Sequence, residues 1–130
     1  KYSGSEEAAI ARYYQGAMAN EDGDTDEAMK RFREVMESGK QPYASQAAFS
    51  LAQLYAGQGN VEEAEKILRG IIAHPTVLVS KEQATIALGQ ILKESRPEET
   101  RKLLEPLRTE RSAVSRAAIS ALANVPSSGE

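Results

Sequence analysis

A pattern that returns after 36 residues constrains this chain more than any other feature. Gly23-Asp24, Ala28 and Phe32 reappear as Gly59-Asn60, Ala64 and Leu68. A third copy follows at a shift of 37, with Leu51, Ala52 and Tyr55 matched by Leu88, Gly89 and Leu92. Its loop is one residue shorter, so Ala64 then faces Thr100, and Lys66-Ile67-Leu68 faces Lys102-Leu103-Leu104. Units this small cannot bury their own apolar side and do so only by stacking on one another.

Inside each copy the apolar positions recur every three or four residues, which is one face of a helix. Ile10, Tyr13, Tyr14, Ala17 and Met18 make the first such face, and Ala28, Phe32, Val35 and Met36 the second. The third runs through Ala48, Leu51, Ala52, Leu54 and Tyr55, and the fourth through Ala64, Ile67, Leu68, Ile71 and Ile72. Ala84, Ala87, Leu88, Ile91 and Leu92 form the fifth, Leu103, Leu104 and Leu107 the sixth. Val114, Ala117, Ala118, Ala121 and Leu122 complete a set of seven. Val77-Leu78-Val79 is β-like but too short and isolated to build a sheet. The expectation is one all-α domain over 1–130, with helix pairs at about 5–38, 42–73 and 80–108. A terminal helix over 112–124 and a flexible tail over 125–130 follow.

The breaks carry helix-boundary chemistry. Asp24 with Glu27, Asn60 with Glu63, Ser80 with Gln83 and Ser95 with Glu98 have capping-box spacing. Pro97 suits a first helical turn, and Gly39, Gly57 and Gly59 suit helix ends. Pro106 falls inside the sixth segment and should bend or end it.

Composition agrees with close packing of short helices. Only 25 of 130 residues are Leu, Ile, Val or Phe, whereas 20 are Ala, and the formal charge is a modest -3. Ala17, Ala28, Ala52 and Ala64 are small where axes must approach to about 8–10 Å, and Phe32, Tyr55 and Leu68 fill the remaining space. Residues 1–65 hold 6 basic and 12 acidic side chains, and residues 66–130 hold 10 and 7. That asymmetry reads either as drift among solvated faces or as a polar axis that orients a partner. With no Cys and one His, disulfides, thiolate metal sites and imidazole clusters are excluded. No apolar run reaches the roughly 18 residues of a membrane span and no leader is visible, so membrane contact is expected only through regions outside these residues. Lys30-Arg31-Arg33 and Arg101-Lys102 are too sparse for a nucleic-acid footprint.

Gly16, Ala19, Gly23, Ala28 and Phe32 resemble the small-and-large pattern of a tetratricopeptide repeat. The second unit resembles it more closely, through Leu51-Ala52, Tyr55, Gly59-Asn60, Glu63-Ala64, Leu68 and Pro75. The third departs, with Thr100 at the usual Ala and Leu88-Gly89 in place of Leu51-Ala52. Residues 8–108 carry the resemblance, and 112–124 is similar to the solvating terminal helix of such arrays. The implied fold is a right-handed α-solenoid of about three helix pairs plus a C-terminal capping helix. Unit spacings of 36 and 37 are similar to the looser bacterial envelope members, of the ancillary Sec-translocon subunit or cell-division coordinator type. A periplasmic or membrane-attached envelope location is what that narrower resemblance implies, with a cytoplasmic one as the alternative.

Nothing in the sequence has the form of a catalytic site. Glu21 with Asp24 and Glu34 with Glu37 are neighbours on wet helix faces, not carboxylates facing each other across a cleft. Glu62-Glu63-Glu65 sits in a first turn, where the helix dipole favours negative charge. His74, before Pro75, is placed to cap helix-terminal carbonyls and has no second ligand at metal spacing. Asp22, Asp24, Asp26 and Glu27 do not make a calcium loop, because the twelfth position from Asp22 is Arg33. Ser45, Ser50, Ser80 and Ser115 lack a nucleophile elbow, and Gly57-Gln58-Gly59 is a turn rather than a phosphate loop. No cofactor, metal or small-molecule substrate is expected, and an enzyme of unknown class is the weakest alternative.

Recognition of protein remains. The resemblance implies that the first helix of each pair lines a concave face. Ile10, Tyr13, Ala17 and Asn20 fall there in the first unit, then Gln46, Phe49, Gln53 and Ala56, then Gln83, Ile86, Gln90 and Lys93. Aromatic anchors beside amides suit a peptide, a helix or an unfolded segment, although Tyr13 and Phe49 are equally suited to plug the core between units. Family members that grip acidic chaperone tails present Lys and Asn, then Asn, then Lys and Arg where this chain has Tyr13, Ala17, Ser50, Gln83 and Ala87, none of them basic, so a carboxylate clamp is not expected. The alternative is an oligomerisation scaffold, a monomer or weak homodimer using Val114, Ala118 and Leu122 on the last helix.

Overall fold

The computed structural model describes residues 5–109 and 113–126, with the side chains of Ala113 and Val114 outside that set. Helix α1 spans Glu6–Glu21, α2 Thr25–Ser38, α3 Tyr43–Gly57 and α4 Val61–Ala73. Helices α5 (Lys81–Leu92), α6 (Pro97–Leu104) and α7 (Ala113–Ala123) follow, with a 3-10 turn at Glu105–Thr109. Consecutive helices pack on each other along the chain, and there is no strand among the described residues. The result is a tetratricopeptide-like α-solenoid closed by a terminal helix.

Local chemistry sets most boundaries. Ser5, Asp24, Asn60 and Ser80 each accept a hydrogen bond from the backbone N–H three residues on. The reciprocal half of the first expected capping box is absent, because the Asp24 N–H donates to the Ala19 carbonyl at 2.8 Å, while the Glu27 carboxylate accepts from Arg31 Nε at 2.7 Å. Ser95 does not cap α6. Arg96 takes that position, since Pro97 opens the helix and disfavours helical geometry in the residue before it. Pro106 ends α6 as expected, and the chain tightens into the 3-10 turn. Gly39 closes α2 in the left-handed region at φ 68°. Val77-Leu78-Val79 forms no strand. Val79 is buried, while Thr76 shares a 2.5 Å hydrogen bond with Ser45 on α3 and so ties the loop down.

Each hairpin solves the same volume problem with a different pair. The matching positions on the first and second helices are Gly16 and Phe32, Ala52 and Leu68, and Gly89 and Leu104. A Cβ at Gly16 would lie 2.9 Å from the Phe32 ring, so the larger ring requires the smaller partner. A Cβ at Gly89 would lie 3.0 Å from Leu104. Thr100, which stands where the second unit has Ala64, is fully buried and donates from its hydroxyl to the Gly89 carbonyl at 3.2 Å. The departure of the third unit from the repeat pattern is therefore a matched change on both helices. A glycine within a helix costs roughly 0.5–1 kcal/mol relative to alanine, and close approach offsets that cost at these two positions.

Two clusters make up the core. Ala9, Ala28, Phe32, Val35, Ala47 and Leu51 join α1, α2 and α3. Ala52, Leu68, Ile71, Leu88 and Leu92 join α3, α4 and α5. Helix α7 closes the far end against α5, α6 and the 3-10 turn.

Candidate protein-interaction face

Helices α3 and α5 carry the same amides at the same positions. Gln46 and Gln53 on α3 are matched, 37 residues on, by Gln83 and Gln90 on α5. Gln53, Gln83 and Gln90 are exposed and Gln46 is half-buried. None of the four side-chain amides bonds to another described residue, and among the described residues no fully buried side-chain polar atom lacks a partner. Gln46 lies two residues from both Ala44 and Ala48, so it emerges on the opposite side of α3 from those core-facing alanines. Ile10, Ile86 and Lys93 are half-buried, and Asn20 is exposed near the end of α1.

The two aromatic candidates are occupied by packing. Phe49 is only 9% exposed and belongs to the second core cluster. Tyr13 is half-buried, with ring centroids 5.7 Å from Phe32 and 5.8 Å from Tyr43, which links α1, α2 and α3. Of the two roles open to these rings in the sequence, plugging the core describes where they sit. The exposed apolar groups of α1 are instead Tyr14 and Met18, at 55% and 65%. A signal for them existed. The 36-residue shift sets Met18 opposite Leu54, which packs on the cluster that includes α2, and among the described residues no helix precedes α1 to cover Met18 in the same way.

The residues expected to mediate self-association differ in exposure. Ala118 is fully buried and Leu122 half-buried, while the side chain of Val114 is outside the described set. The exposed large apolar residue on α7 is Ile119, one position along.

Charged groups form a surface network rather than a reaction centre. Glu65 bridges Arg69 of its own helix and Arg96 before α6, and Glu99 accepts from both arginines. Hydrogen bonding from Arg96 holds the Glu65 carboxyl below its ordinary value, against the opposing effect of its partial burial, with Arg69 adding to the depression. The buried polar side chains among the described residues are Ser45, Thr85, Thr100 and Ser115, none of them ionisable. No group of His, Asp or Glu among the described residues could hold a metal ion, and there is no cysteine in the chain. His74 ends α4 through its backbone, donating to the carbonyls of Gly70 and Ile71. No described helix is long and apolar enough to cross a membrane.

Residues 19–75 match the family model described as Tetratricopeptide repeat. Comparison with curated proteins and with solved structures returned no match. The matched segment runs from the end of α1 to just past α4 and contains the best-conforming unit. It places this part of the chain with the tetratricopeptide repeats in general, whose stacked-helix fold is generally a scaffold for protein interactions.

Proposed function

We propose that this array is a non-catalytic module that binds a peptide, helix or unfolded segment across the first helices of its units. The observation that carries the reading is the repeated, unpaired amide pair, Gln46 with Gln53 and Gln83 with Gln90. Each amide offers both a donor and an acceptor, which matches the main chain of a bound segment whatever its sequence. Half-buried Ile86 and Ile10 supply apolar contact beside them, Lys93 adds one positive charge, and exposed Tyr14 and Met18 extend the apolar contribution of α1. The unit spacings of 36 and 37 support an envelope member of the family as the parent protein, with an unfolded or newly translocated segment as the partner.

The test is selection of short random peptides displayed against the chain, followed by affinity measurement on Gln53→Ala/Gln90→Ala. Losing two hydrogen-bonding groups should weaken binding by roughly five- to a hundredfold while leaving the thermal midpoint in place. Recovery of no peptide that binds the double substitution more weakly than the parent would refute the concave-face assignment.

A further inference from the structure

A pocket of about 450 Å³ opens on the side of α3 opposite Gln46 and Gln53, where the ends of α2 and α4 meet the start of α3. Met36, Ala44, Ala48, Ile67 and Ile71 supply apolar walls. Lys66 and Gly70 on α4 and His74 at its C-cap follow one another at four-residue intervals and form one rim. Among the described residues Lys66 and His74 are the ionisable ones lining it, and neither side chain pairs with another described residue. The first turn of α3 and the last turn of α4 present opposite dipole ends here, so the side chains decide the sign of the site.

Gly70 supplies a second, independent observation. Unlike Gly16 and Gly89, it has nothing within 4 Å of where a Cβ would stand, and its backbone is ordinary helix. Close packing and positive φ, the two structural reasons for a glycine in a helix, are both absent. What the missing side chain leaves is open space on the pocket rim.

We propose that this pocket receives a bulky apolar side chain of a partner peptide that carries an acidic residue beside that anchor. The apolar walls take the anchor, the bare backbone at Gly70 lets the peptide approach α4, and Lys66 with His74 meets the carboxylate. The site is on a different face from the amide rows and does not depend on them.

The probe is again a displayed library of short random peptides, selected in parallel on the parent chain and on Gly70→Leu. Peptides recovered on the parent alone should pair Leu, Ile, Met or Phe with a nearby Asp or Glu. Gly70→Leu should weaken a synthesised copy about tenfold or more, Gly70→Ala by less, and Lys66→Glu should reverse the preference for acidic neighbours. Gln53→Ala/Gln90→Ala should leave its affinity unchanged. Thermal unfolding of Gly70→Ala, which removes a helix glycine without a clash, checks that the fold survives at this position. Recovery of no peptide sensitive to Gly70→Ala or Gly70→Leu overturns the proposal, as does an anchor with basic neighbours. Peptides sensitive only to Gln53 and Gln90 overturn it while leaving the amide-face reading intact.

Discussion

Gly16→Ala tests whether small-against-large matching holds the first hairpin together, and Gly70→Ala is its control. Both changes remove a glycine from a helix and should each gain roughly 0.5–1 kcal/mol from backbone entropy alone. At Gly70 nothing opposes that gain, because apart from its own helix backbone and chain neighbours no group lies within 4 Å of the new methyl group. At Gly16 the methyl group would stand 2.9 Å from two carbons of the Phe32 ring and 3.2 Å from Arg31 Cβ. Phe32 is itself buried among Ala28, Met29 and Val35, so the ring has little room to retreat. Overpacking of this kind costs roughly 1–3 kcal/mol. Gly16→Ala should therefore be about 1–3 kcal/mol less stable than Gly70→Ala, and at or below the parent. At about 4 °C per kcal/mol for a chain of this length, Gly70→Ala should melt about 2–4 °C above the parent. Urea titrations followed by circular dichroism give the comparison directly. A double substitution, Gly16→Ala with Phe32→Leu, imports the pair found at Ala52 and Leu68 and should recover part of the loss, with a coupling of about 0.5–3 kcal/mol. Equal stability of the two single variants, or strict additivity in the double, would refute the packing argument.

Three further outcomes rest on the packing and charge network of the array. Leu68→Ala empties a fully buried site between α3, α4 and α5 and should cost about 2–5 kcal/mol in denaturant titration. Ala64→Leu overfills a fully buried position of the same cluster and should cost about 1–3 kcal/mol, with the urea dependence of the transition unchanged. Glu65→Gln should lower stability at neutral pH. Because the folded carboxyl titrates below its unfolded value, its contribution is full above the ordinary carboxylate range and disappears as pH falls through the folded value, so the gap between parent and variant should close from about pH 5 downward. A gap that stayed constant to the acid limit would remove Glu65 from the network's energetics.

Capping residues and proline positions were legible before any coordinate, because they act within one turn of the chain. Asp24, Asn60 and Ser80 cap as their spacing implies, and Pro106 ends α6. Ser95 was misread because Pro97 restricts Arg96, so the helix start shifts by one residue. The amides of the candidate face were legible as well, since helix periodicity and the 37-residue shift suffice to put Gln46 with Gln83 and Gln53 with Gln90. What each aromatic ring does was not. Tyr13 and Tyr14 are adjacent in sequence and both apolar in pattern, yet one is held between Phe32 and Tyr43 and the other is exposed.

The repeat in the sequence determined the helix count, the pairing and the stacked architecture, because those depend on periodicity and on the inability of one hairpin to bury its own face. Tertiary structure decided which copies of an equivalent position are covered. Leu54 packs against the core and Met18 stands exposed for want of a preceding helix among the described residues, and Ala118 is buried where Ile119 is not. It also set Gly16 and Gly89 in close approach to a facing side chain and Gly70 on an open pocket rim. The physical reason is that burial belongs to the pair of surfaces that meet, whereas a sequence pattern describes only one of them.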